Sequence, residues 1–354
     1  MHLARLRLRD FRNYRRLDAA FEPGFHVLLG RNAQGKTNLL EAIHLLATLR
    51  SFRGVGNAPM ARHGQAGWFI GGRIVGTGTH EVKSYWSPTE RRLTLDNQPV
   101  QRLTDYLGTL RTVAFCSEDA QLVKGAGRGR RRFLDFLLTQ TIPAYLPLLQ
   151  NYMRAVRSRN ALLKKKPVDE AALESFTAEM VKLGNELMKH RRDLMPALAP
   201  LVTAAHGRIA PKGEALMVEY QPKVKEDFAG ELNRVRTREL TQGTTTIGPH
   251  RDEVGLLLDG KAAAEFASEG QKRTVAIALK MAQAEHLAAV HGVAPVLLID
   301  DVMGELDANR REGFLPLLEQ CGAGRGQVFM TCTEENWPRE LEVKRWEVAK
   351  GELK

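Results

Sequence analysis

The chain has 354 residues, of which 43% are hydrophobic and 26% are charged. This composition is typical of a globular protein and excludes a low-complexity or fibrous chain. Lysine and arginine number 52 against 41 aspartates and glutamates, giving a formal charge of +11. Such an excess favours a polyanionic partner, either nucleic acid or an anionic membrane surface. A basic housekeeping protein without any polyanionic partner is the alternative.

The lack of a recognisable targeting signal and the pattern of cysteines both favour the cytoplasm. No apolar stretch approaches the ~20 residues needed to cross a bilayer, and the N-terminus lacks the apolar core of a signal peptide. The cysteines are odd in number and lack metal-ligand spacing: Cys116, Cys321 and Cys332. Cys116 and Cys332 lie in apolar runs, which favours buried, reduced thiols. We therefore predict a soluble, cytoplasmic protein that does not enter a membrane.

Hydrophobic periodicity predicts alternating strands and helices along the chain. A strand in residues 1–14 and a second in residues 25–29 precede a glycine-rich loop and a helix with leucines and isoleucine at helical spacing. Antiparallel strands are predicted within residues 68–114. Two helices, in 145–163 and 173–187, are predicted to pair antiparallel across Lys164–Pro167. The remaining elements are, in order, strands at 216–220 and 254–258, a helix after Ser268, a strand at 296–300, a further helix, and a strand at 328–330.

The loop Gly30–Thr37 fits the phosphate-binding loop pattern, with a strand before it and a helix after it. Glycines in such a loop let backbone N–H groups face phosphates at a helix N-terminus, where the helix dipole favours anions. Lys36 supplies a positive charge to the terminal phosphates, and Thr37 can offer its hydroxyl to Mg²⁺. The predicted ATP-binding residues are Gly30, Arg31, Asn32, Ala33, Gln34, Gly35, Lys36, Thr37, Asn38 and Arg12. A chance Gly-Lys-Thr turn is the alternative.

Two aspartates follow a strand of apolar residues, Val296–Ile299. Asp300 ends that strand, in the crevice where open α/β sheets bind ligands, and is predicted to hold Mg²⁺ together with Thr37. Asp301 points differently and could orient or deprotonate the attacking water. Lys36, Asp300 and Asp301 are therefore the predicted catalytic residues. For Asp301, a helix cap or a surface charge is the alternative.

A third short motif, Ser268-Glu269-Gly270-Gln271, immediately precedes a predicted helix. Its hydroxyl and backbone amides can form an anion site. A plain helix cap by Ser268 is an equally good interpretation. More than two hundred residues separate this motif from the phosphate loop, so a single ATP site would have to be assembled from distant segments.

Basic residues cluster in the middle of the chain and predict a DNA-binding surface that contacts phosphates without reading sequence. Few aromatic residues are interleaved with these clusters, so stacking on single-stranded bases is not indicated there. A solvated helix face is the alternative for each cluster. The residues predicted to contact DNA are Arg128, Arg130, Arg131, Lys164, Lys165 and Arg191.

Several motifs together resemble the RecF family of bacterial recombination-repair ATPases, which is related to SMC head domains and more distantly to ABC ATPases. The resemblance runs nearly end to end. It is carried by Asn13–Arg15, the phosphate loop with Asn38–Ala42, Glu118-Asp119 with Leu122–Gly125, Arg131–Asp135, Arg159-Asn160, Gly248–Asp252 and Glu305–Asp307.

The resemblance implies an α/β fold: an ABC/SMC-head-like P-loop ATPase lobe, with a helical second lobe that carries a short antiparallel helical arm. The ATPase lobe would comprise residues 1–115 and 211–354, and the helical lobe residues 116–210. ATP and Mg²⁺ are the implied cofactors. Ser268, Gly270 and Gln271 of one subunit would contact ATP on a second subunit, while Glu305 and Asp307 would form the loop that crosses the dimer interface.

The resemblance also implies a function: a weak, DNA-stimulated ATPase whose ATP-induced dimer binds single-stranded or gapped DNA junctions. With RecO and RecR it would help load recombinase, in DNA replication, repair and SOS induction, and hydrolysis would release it. A nucleotide-gated DNA clamp with incidental hydrolysis and a non-DNA ABC cassette are the alternatives, the second disfavoured by the wide motif separation.

Three positions depart from the family pattern. Ser117 stands where proline is common, and Gly304 where serine or alanine is usual. Thr331 or Thr333 occupies the region in which transporter-type ABC proteins carry a switch histidine.

Overall fold

The computed structural model describes residues 1–210, 213–225, 227–333, 337 and 341–354, and the backbone alone of Glu305. Its strands are β1 (His2–Phe11), β2 (Tyr14–Ala20), β3 (Gly24–Leu29), β4 (Trp68–Val75), β5 (Thr79–Trp86), β6 (Arg91–Leu95), β7 (Gln98–Pro99), β8 (Thr112–Phe115), β9 (Leu216–Gln221), β10 (Glu253–Leu258), β11 (Lys261–Ala262), β12 (Val296–Asp300), β13 (Gln327–Cys332), β14 (Val343–Ala349) and β15 (Glu352–Leu353). Its helices are α1 (Lys36–Thr48), α2 (Leu103–Tyr106), α3 (Gln121–Lys124), α4 (Gly127–Thr141), α5 (Tyr145–Leu163), α6 (Glu170–Ile209), α7 (Phe228–Gln242), α8 (Ala263–Phe266), α9 (Glu269–His291), α10 (Val302–Glu305) and α11 (Ala308–Gly322).

Two compact units divide the chain. The first contains Met1–Asp119, Ala205–Pro211 and Ile277–Lys354, and the second contains Ala120–Ala204 and Lys212–Ala276. Residues 212–276 therefore group with the helical segment rather than with the C-terminal part of the ATPase lobe, where the sequence placed them. The functional division into residues 1–115, 116–210 and 211–354 stays a prediction.

A largely parallel sheet organises the first unit in the order β15-β14-β3-β13-β12-β8. Strands β14, β3, β13, β12 and β8 pair in parallel, while β15 turns back on β14. Strands β12 and β13 are apolar nearly throughout and buried, as expected for parallel strands covered on both faces. Because β3 lies beside β13 and β13 beside β12, the carboxyl ends of these strands meet at one edge, where ligands bind in open α/β sheets.

A second, antiparallel sheet lies in the same unit, in the order β2-β1-β4-β5-β6-β7. Alternation puts Leu6, Leu8 and Ile70 on its inner face, and they join the buried core formed with the leucines of α1. The antiparallel β layer predicted from residues 68–114 is thus present. Charged side chains occupy the opposite, solvent-facing side.

The second unit is mainly helical, with the small sheet β11-β10-β9. Helices α5 and α6 cover the predicted helical pair, but α6 has 40 residues and continues through Pro196 and Pro200, well beyond the predicted end near residue 187. At 1.5 Å per residue its length is roughly 60 Å. Among the described residues, no helix is long and apolar enough to cross a membrane. All three cysteines are buried, as predicted for Cys116 and Cys332.

Candidate nucleotide site

The loop between β3 and α1 has the backbone shape of a phosphate cradle. Gly35 adopts a φ of +119°, and a Cβ there would lie 2.7 Å from the Asn13 amide nitrogen, so only glycine fits. Ala33 is also left-handed, with a φ of 64°. Lys36 begins α1, and its ammonium donates hydrogen bonds to the carbonyls of Gly30 (2.5 Å) and Arg31 (3.1 Å). The Lys36 side chain is thereby folded back across the mouth of the loop.

Asp300 forms the centre of the acidic part of the site. The Thr37 hydroxyl donates to Asp300 Oδ1 at 2.8 Å, and the Thr331 hydroxyl donates to the same oxygen at 3.0 Å. Burial raises the pKa of Asp300, while the two hydroxyl donors oppose that shift. Burial likewise lowers the pKa of Lys36, against the attraction of Asp301 and Asp300. Both groups therefore lie where water is scarce and an opposite charge would be bound strongly.

Asp301 follows in a left-handed conformation, with a φ of 58°, and its side chain is exposed. Its backbone N–H donates to the Thr331 hydroxyl at 2.9 Å. Thr331 therefore connects both aspartates, since it donates to the carboxylate of one and accepts from the backbone of the other. The two aspartates therefore differ in backbone conformation and in exposure, and the role predicted for Asp301 stays a prediction.

The residues of this pocket fit a magnesium nucleotide. Its lining consists of residues 32–38, Arg53, Asp300, Asp301 and Thr331. In the described ranges no cluster of three or more histidine, cysteine or carboxylate side chains could hold a metal alone. Thr37 and Asp300 supply two oxygens, which suits Mg²⁺, because that ion is held by one or two protein ligands plus phosphates and water.

Two side chains that support the loop, Asn13 and Arg53, were not assigned a role from sequence. Asn13 donates to the Gln34 carbonyl at 2.7 Å and accepts from the Asn38 amide at 2.8 Å. Arg53 donates to the Asn38 side-chain oxygen at 3.0 Å. Asn13 belongs to a motif of the family resemblance, whereas no sequence signal identifies Arg53.

Arg12, which the sequence assigned to ATP, is held elsewhere by Glu41. Its guanidinium makes two hydrogen bonds of 2.8 Å to that carboxylate and a third, of 2.9 Å, to the Pro59 carbonyl. Glu41 is fully buried and also accepts from the Ser51 hydroxyl at 2.5 Å. Arg12 does not line the pocket in this conformation, and its contact with ATP stays a prediction.

Comparison with known proteins identifies the family. A family model described as an AAA domain matches residues 5–101. The DNA replication and repair protein RecF of Symbiobacterium thermophilum is 38% identical over 98% of this chain and 94% of its own length. RecF of Rippkaea orientalis is 35% identical over 99% of both chains.

The chain belongs to the RecF family.

Solved structures agree with RecF membership. A structure of the recombination mediator protein RecF with ATP superposes with a TM-score of 0.90 at 28% identity, covering 100% of this chain and 97% of that one. An Smc head domain from Pyrococcus furiosus superposes with a TM-score of 0.60 at 14% identity, which supports the fold alone. The predicted family and the predicted ABC/SMC-head-like fold class are both confirmed.

The Ser268 segment of this RecF-family chain forms a reciprocal helix cap. The Ser268 N–H donates to Gln271 Oε1 at 2.8 Å, and the Gln271 N–H donates to Ser268 Oγ at 3.2 Å, which is the capping-box arrangement. Gln271 also donates to Glu214 at 2.9 Å, and a Cβ at Gly270 would meet nothing within 4 Å. The cap interpretation is therefore realised within one chain, and the contact with a second subunit's ATP stays a prediction.

Of the two residues predicted for the interface loop, Glu305 and Asp307, the side chain of Asp307 is described. Asp307 accepts from the Arg310 N–H at 2.9 Å and caps α11. It is exposed, so the carboxylate can be approached from outside the chain. The Glu305 side chain lies outside the described residues.

Of the six residues predicted to contact DNA, three are engaged within the second unit. Arg130 pairs with Glu253 through bonds of 2.8 and 3.0 Å, and Arg131 donates to the Asp252 carbonyl. Arg191 is only 2% exposed and pairs with Asp135 at 2.8 Å. In this conformation Arg191 cannot reach a DNA phosphate, because its guanidinium is buried and bonded to Asp135 and Asp252.

The other three predicted DNA contacts, Arg128, Lys164 and Lys165, are exposed. They remain candidates for phosphate contact.

Proposed function

We propose that this chain is an ATP-dependent DNA-binding protein of recombinational repair that dimerises when it binds ATP. The observation that carries the proposal is the 2.8 Å contact between Thr37 and Asp300 beside Lys36, in a chain of the RecF family. These groups come from segments far apart in sequence, and their convergence is what a magnesium-nucleotide site requires.

The residues of the site have distinct tasks in this mechanism. Backbone N–H groups of residues 33–37 face the phosphates, and Lys36 exchanges its two carbonyl partners for terminal phosphate oxygens. Thr37 and Asp300 hold Mg²⁺, which neutralises charge on the phosphates when bound. Asp301 orients the attacking water, and Thr331 fixes both aspartates. Hydrolysis then depends mainly on positioning and charge compensation.

The proposed dimer completes the site from a second subunit. Ser268, Gly270 and Gln271 of one subunit contact ATP on the other, while Glu305 and Asp307 cross the interface. Support comes from the open space around Gly270 and the exposure of Asp307, which leave both segments accessible. Dimerisation would thus depend on the nucleotide.

DNA is the proposed macromolecular partner, as single-stranded, gapped or junction DNA. The formal charge of +11 and the repair function named for the relatives support this choice. The solved relative is described as a recombination mediator in the RecFOR pathway, which supports RecO and RecR as partners in recombinase loading. We further propose weak, DNA-stimulated ATP hydrolysis in the cytoplasm and a part in replication and SOS induction.

Light scattering tests the dimer. With saturating ATP and Mg²⁺ at micromolar concentration, the measured mass should double relative to nucleotide-free protein. Lys36→Ala should remain at the nucleotide-free mass, because the phosphate contacts are lost. A wild-type chain that stays monomeric with ATP bound, as verified by equilibrium dialysis, would contradict the proposal.

Replacing Asp301 by Asn separates a cycling ATPase from a clamp with incidental hydrolysis. Asn keeps the size of the side chain but cannot accept a proton from water, so turnover should fall while ATP binding persists. In a cycling ATPase, this variant should lose repair activity in cells and dissociate from DNA more slowly. Full repair activity without ATP turnover would instead favour the clamp.

A further inference from the structure

A wide groove lies on the solvent-facing side of the antiparallel sheet in the first unit. It encloses about 1130 Å³ and is lined by residues of β1, β2, β4 and β5 together with Arg62 and residues 65–67. This volume is above the usual range for small-molecule pockets, and the groove is open, which suits a polymer better than a metabolite. The nucleotide site uses none of the residues that line it.

One row of side chains crosses five strands on this face. Strand register places Arg16 opposite Arg9, Arg9 opposite Phe69, Phe69 opposite Tyr85 and Tyr85 opposite Arg92. Neighbouring strands are ~4.8 Å apart, so the row spans roughly 19 Å. Two aromatic rings thus lie side by side, with arginines at both ends of the row.

The positive charge of the groove exceeds its negative charge. Its lining includes five arginines and two aspartates. Both aspartates are already paired, Asp10 with Arg62 at 2.8 Å and Asp18 with Arg5 at 2.6 Å. Arg9 Nε lies 3.8 Å from the Asp10 carboxylate, a long ion pair, and the Arg9 side chain is 80% exposed. Arg16 is exposed as well and has no ion pair within the part of the chain that the structure describes. These arginines are available to phosphates.

The two rings are accessible rather than packed away in the core. Phe69 and Tyr85 are both partly exposed, on the face opposite to the buried Trp68 and Ile70. The Phe69 ring lies along the sheet over Gly71, where an added Cβ would come within 3.0 Å of it. The glycine therefore leaves room for a ring that lies across the strand and presents a surface to solvent.

We propose that this groove binds single-stranded DNA, with unpaired bases stacking on Phe69 and Tyr85 and phosphates contacting Arg9 and Arg16. Unpaired bases have free faces that stack on aromatic side chains, whereas the bases of a duplex are already stacked on each other. Partly exposed rings between arginines therefore fit a single strand better than a duplex. The inference rests on the proposed DNA binding and assigns it a surface outside the helical clusters.

Fluorescence anisotropy with an oligothymidylate of about 30 nucleotides, longer than the site of a single binding module, tests the groove. A duplex of equal length is measured in parallel, with saturating ATP. The double variant Phe69→Ala/Tyr85→Ala should weaken single-strand binding about tenfold or more and leave duplex binding within about twofold. Exchanging the rings, as Phe69→Tyr/Tyr85→Phe, should preserve single-strand affinity.

The arginines are tested by salt dependence. Arg9→Ala/Arg16→Ala should reduce the slope of log K against log salt by about 1.4 for the single strand, which is two phosphate contacts at ~0.7 each. Arg102→Ala/Arg325→Ala is the control, because it removes the same charge from exposed residues of the same unit outside the groove. The control variant should keep the wild-type slope.

Photocross-linking tests the groove in the wild-type chain, so its result does not depend on whether the variants fold. An oligonucleotide with 5-iododeoxyuridine should cross-link to peptides that contain Phe69 or Tyr85. Wild-type affinity in the Phe69→Ala/Tyr85→Ala variant with cross-links elsewhere, or equal weakening for the duplex, would overturn the inference. If the wild-type chain bound no DNA in any nucleotide state, the proposed function itself would fail.

Discussion

Thr331 shows how a single hydroxyl organises the acidic part of the site. It donates to the Asp300 carboxylate at 3.0 Å and accepts from the Asp301 N–H at 2.9 Å. The sequence left open whether Thr331 or Thr333 stands in the region of the switch histidine of transporter-type ABC proteins. The parallel register of β12 and β13 places Thr331 directly opposite Asp300. Thr333 is exposed beyond the end of the strand.

Replacing Thr331 by Val should lower ATP turnover about 10- to 100-fold. Valine has the same shape but no hydroxyl, and a hydrogen bond to a charged group contributes about 1.5–3 kcal/mol. ATP affinity should change little, because Lys36 and Thr37 are untouched. Turnover is measured as phosphate release at saturating ATP, with nucleotide binding measured separately. Thr331→Ser restores the hydroxyl and should retain most of the activity; equal rates for Val and wild type would contradict the role.

Residues of the site differ in how far sequence could predict them. Lys36, Thr37 and Asp300 were predictable, because each lies at a fixed place relative to a strand or helix boundary. Arg53 was not, since it follows α1 in a loop with no regular pattern, and only folding brings it to the Asn38 side chain. Arg12 was also assigned to ATP, and no sequence signal indicated that the buried Glu41 carboxylate would bind its guanidinium.

At the scale of elements, the family motif Gly248–Asp252 holds the second unit together. Asp252 is fully buried and accepts from Arg191 at 3.2 Å and from the Lys223 N–H at 2.9 Å. Arg191 also pairs with Asp135 of α4, and the Pro249 carbonyl accepts from it at 2.7 Å. A residue of α6 is thereby tied to α4 and to the segment that leads into β10. Coulomb attraction from Asp135 helps keep the pKa of Arg191 well above its usual value, despite burial.

Arg191→Ala should destabilise the protein by about 3–5 kcal/mol. The substitution leaves two carboxylates without their cation in a buried place, and breaking a buried pair from one side is strongly unfavourable. Urea unfolding followed by circular dichroism measures the loss. Arg192→Ala, at an exposed neighbouring position, is the control and should stay within about 0.5 kcal/mol of wild type. Equal stability of the two variants would show that the network contributes little.

This network contains ion-pair partners of Arg130 and Arg191 that the sequence did not reveal. Arg130 and Arg191 lie in helices with many charges, where a solvated face or a DNA contact is the natural expectation. Their partners Glu253 and Asp252 come from residues 61 to 123 positions away, and no local pattern reveals such pairs. The sequence pattern likewise did not reveal that arginines and aromatic rings share one face of the antiparallel sheet. They alternate with core residues along β1 and β4 and converge only when the strands pair.

At the scale of the whole molecule, the pKa values of three histidines favour the neutral form: His26 and His44 are buried, and His250 is half-buried. His26 is fully buried: it accepts from the Trp346 indole N–H at 3.0 Å, while its other nitrogen donates to the Glu22 carbonyl at 2.7 Å. Protonation would place an N–H against the Trp346 N–H. Burial lowers the pKa of His26 and of His250 to about 4, and that of His44 to about 3. Unfolded histidines titrate near ~6.5.

Acid should therefore destabilise the fold between about pH 6.5 and pH 4 through these groups. In that window the histidines are protonated in the unfolded chain but stay neutral in the native state. The free energy of unfolding therefore falls as the pH falls. Each such histidine contributes up to ~1.4 kcal/mol per pH unit. His26→Gln should thus make the dependence shallower than wild type by about one proton.

The difference between wild type and variant isolates His26, because carboxylates that titrate in the same window contribute equally to both. Urea unfolding at several values between about pH 6 and pH 5 gives the two slopes. His63→Gln, at an exposed position, should leave the wild-type slope unchanged. If His26→Gln and His63→Gln gave the same pH dependence, His26 would have to take up its proton in the native state, which the Trp346 N–H opposes as long as β14 stays paired with β3.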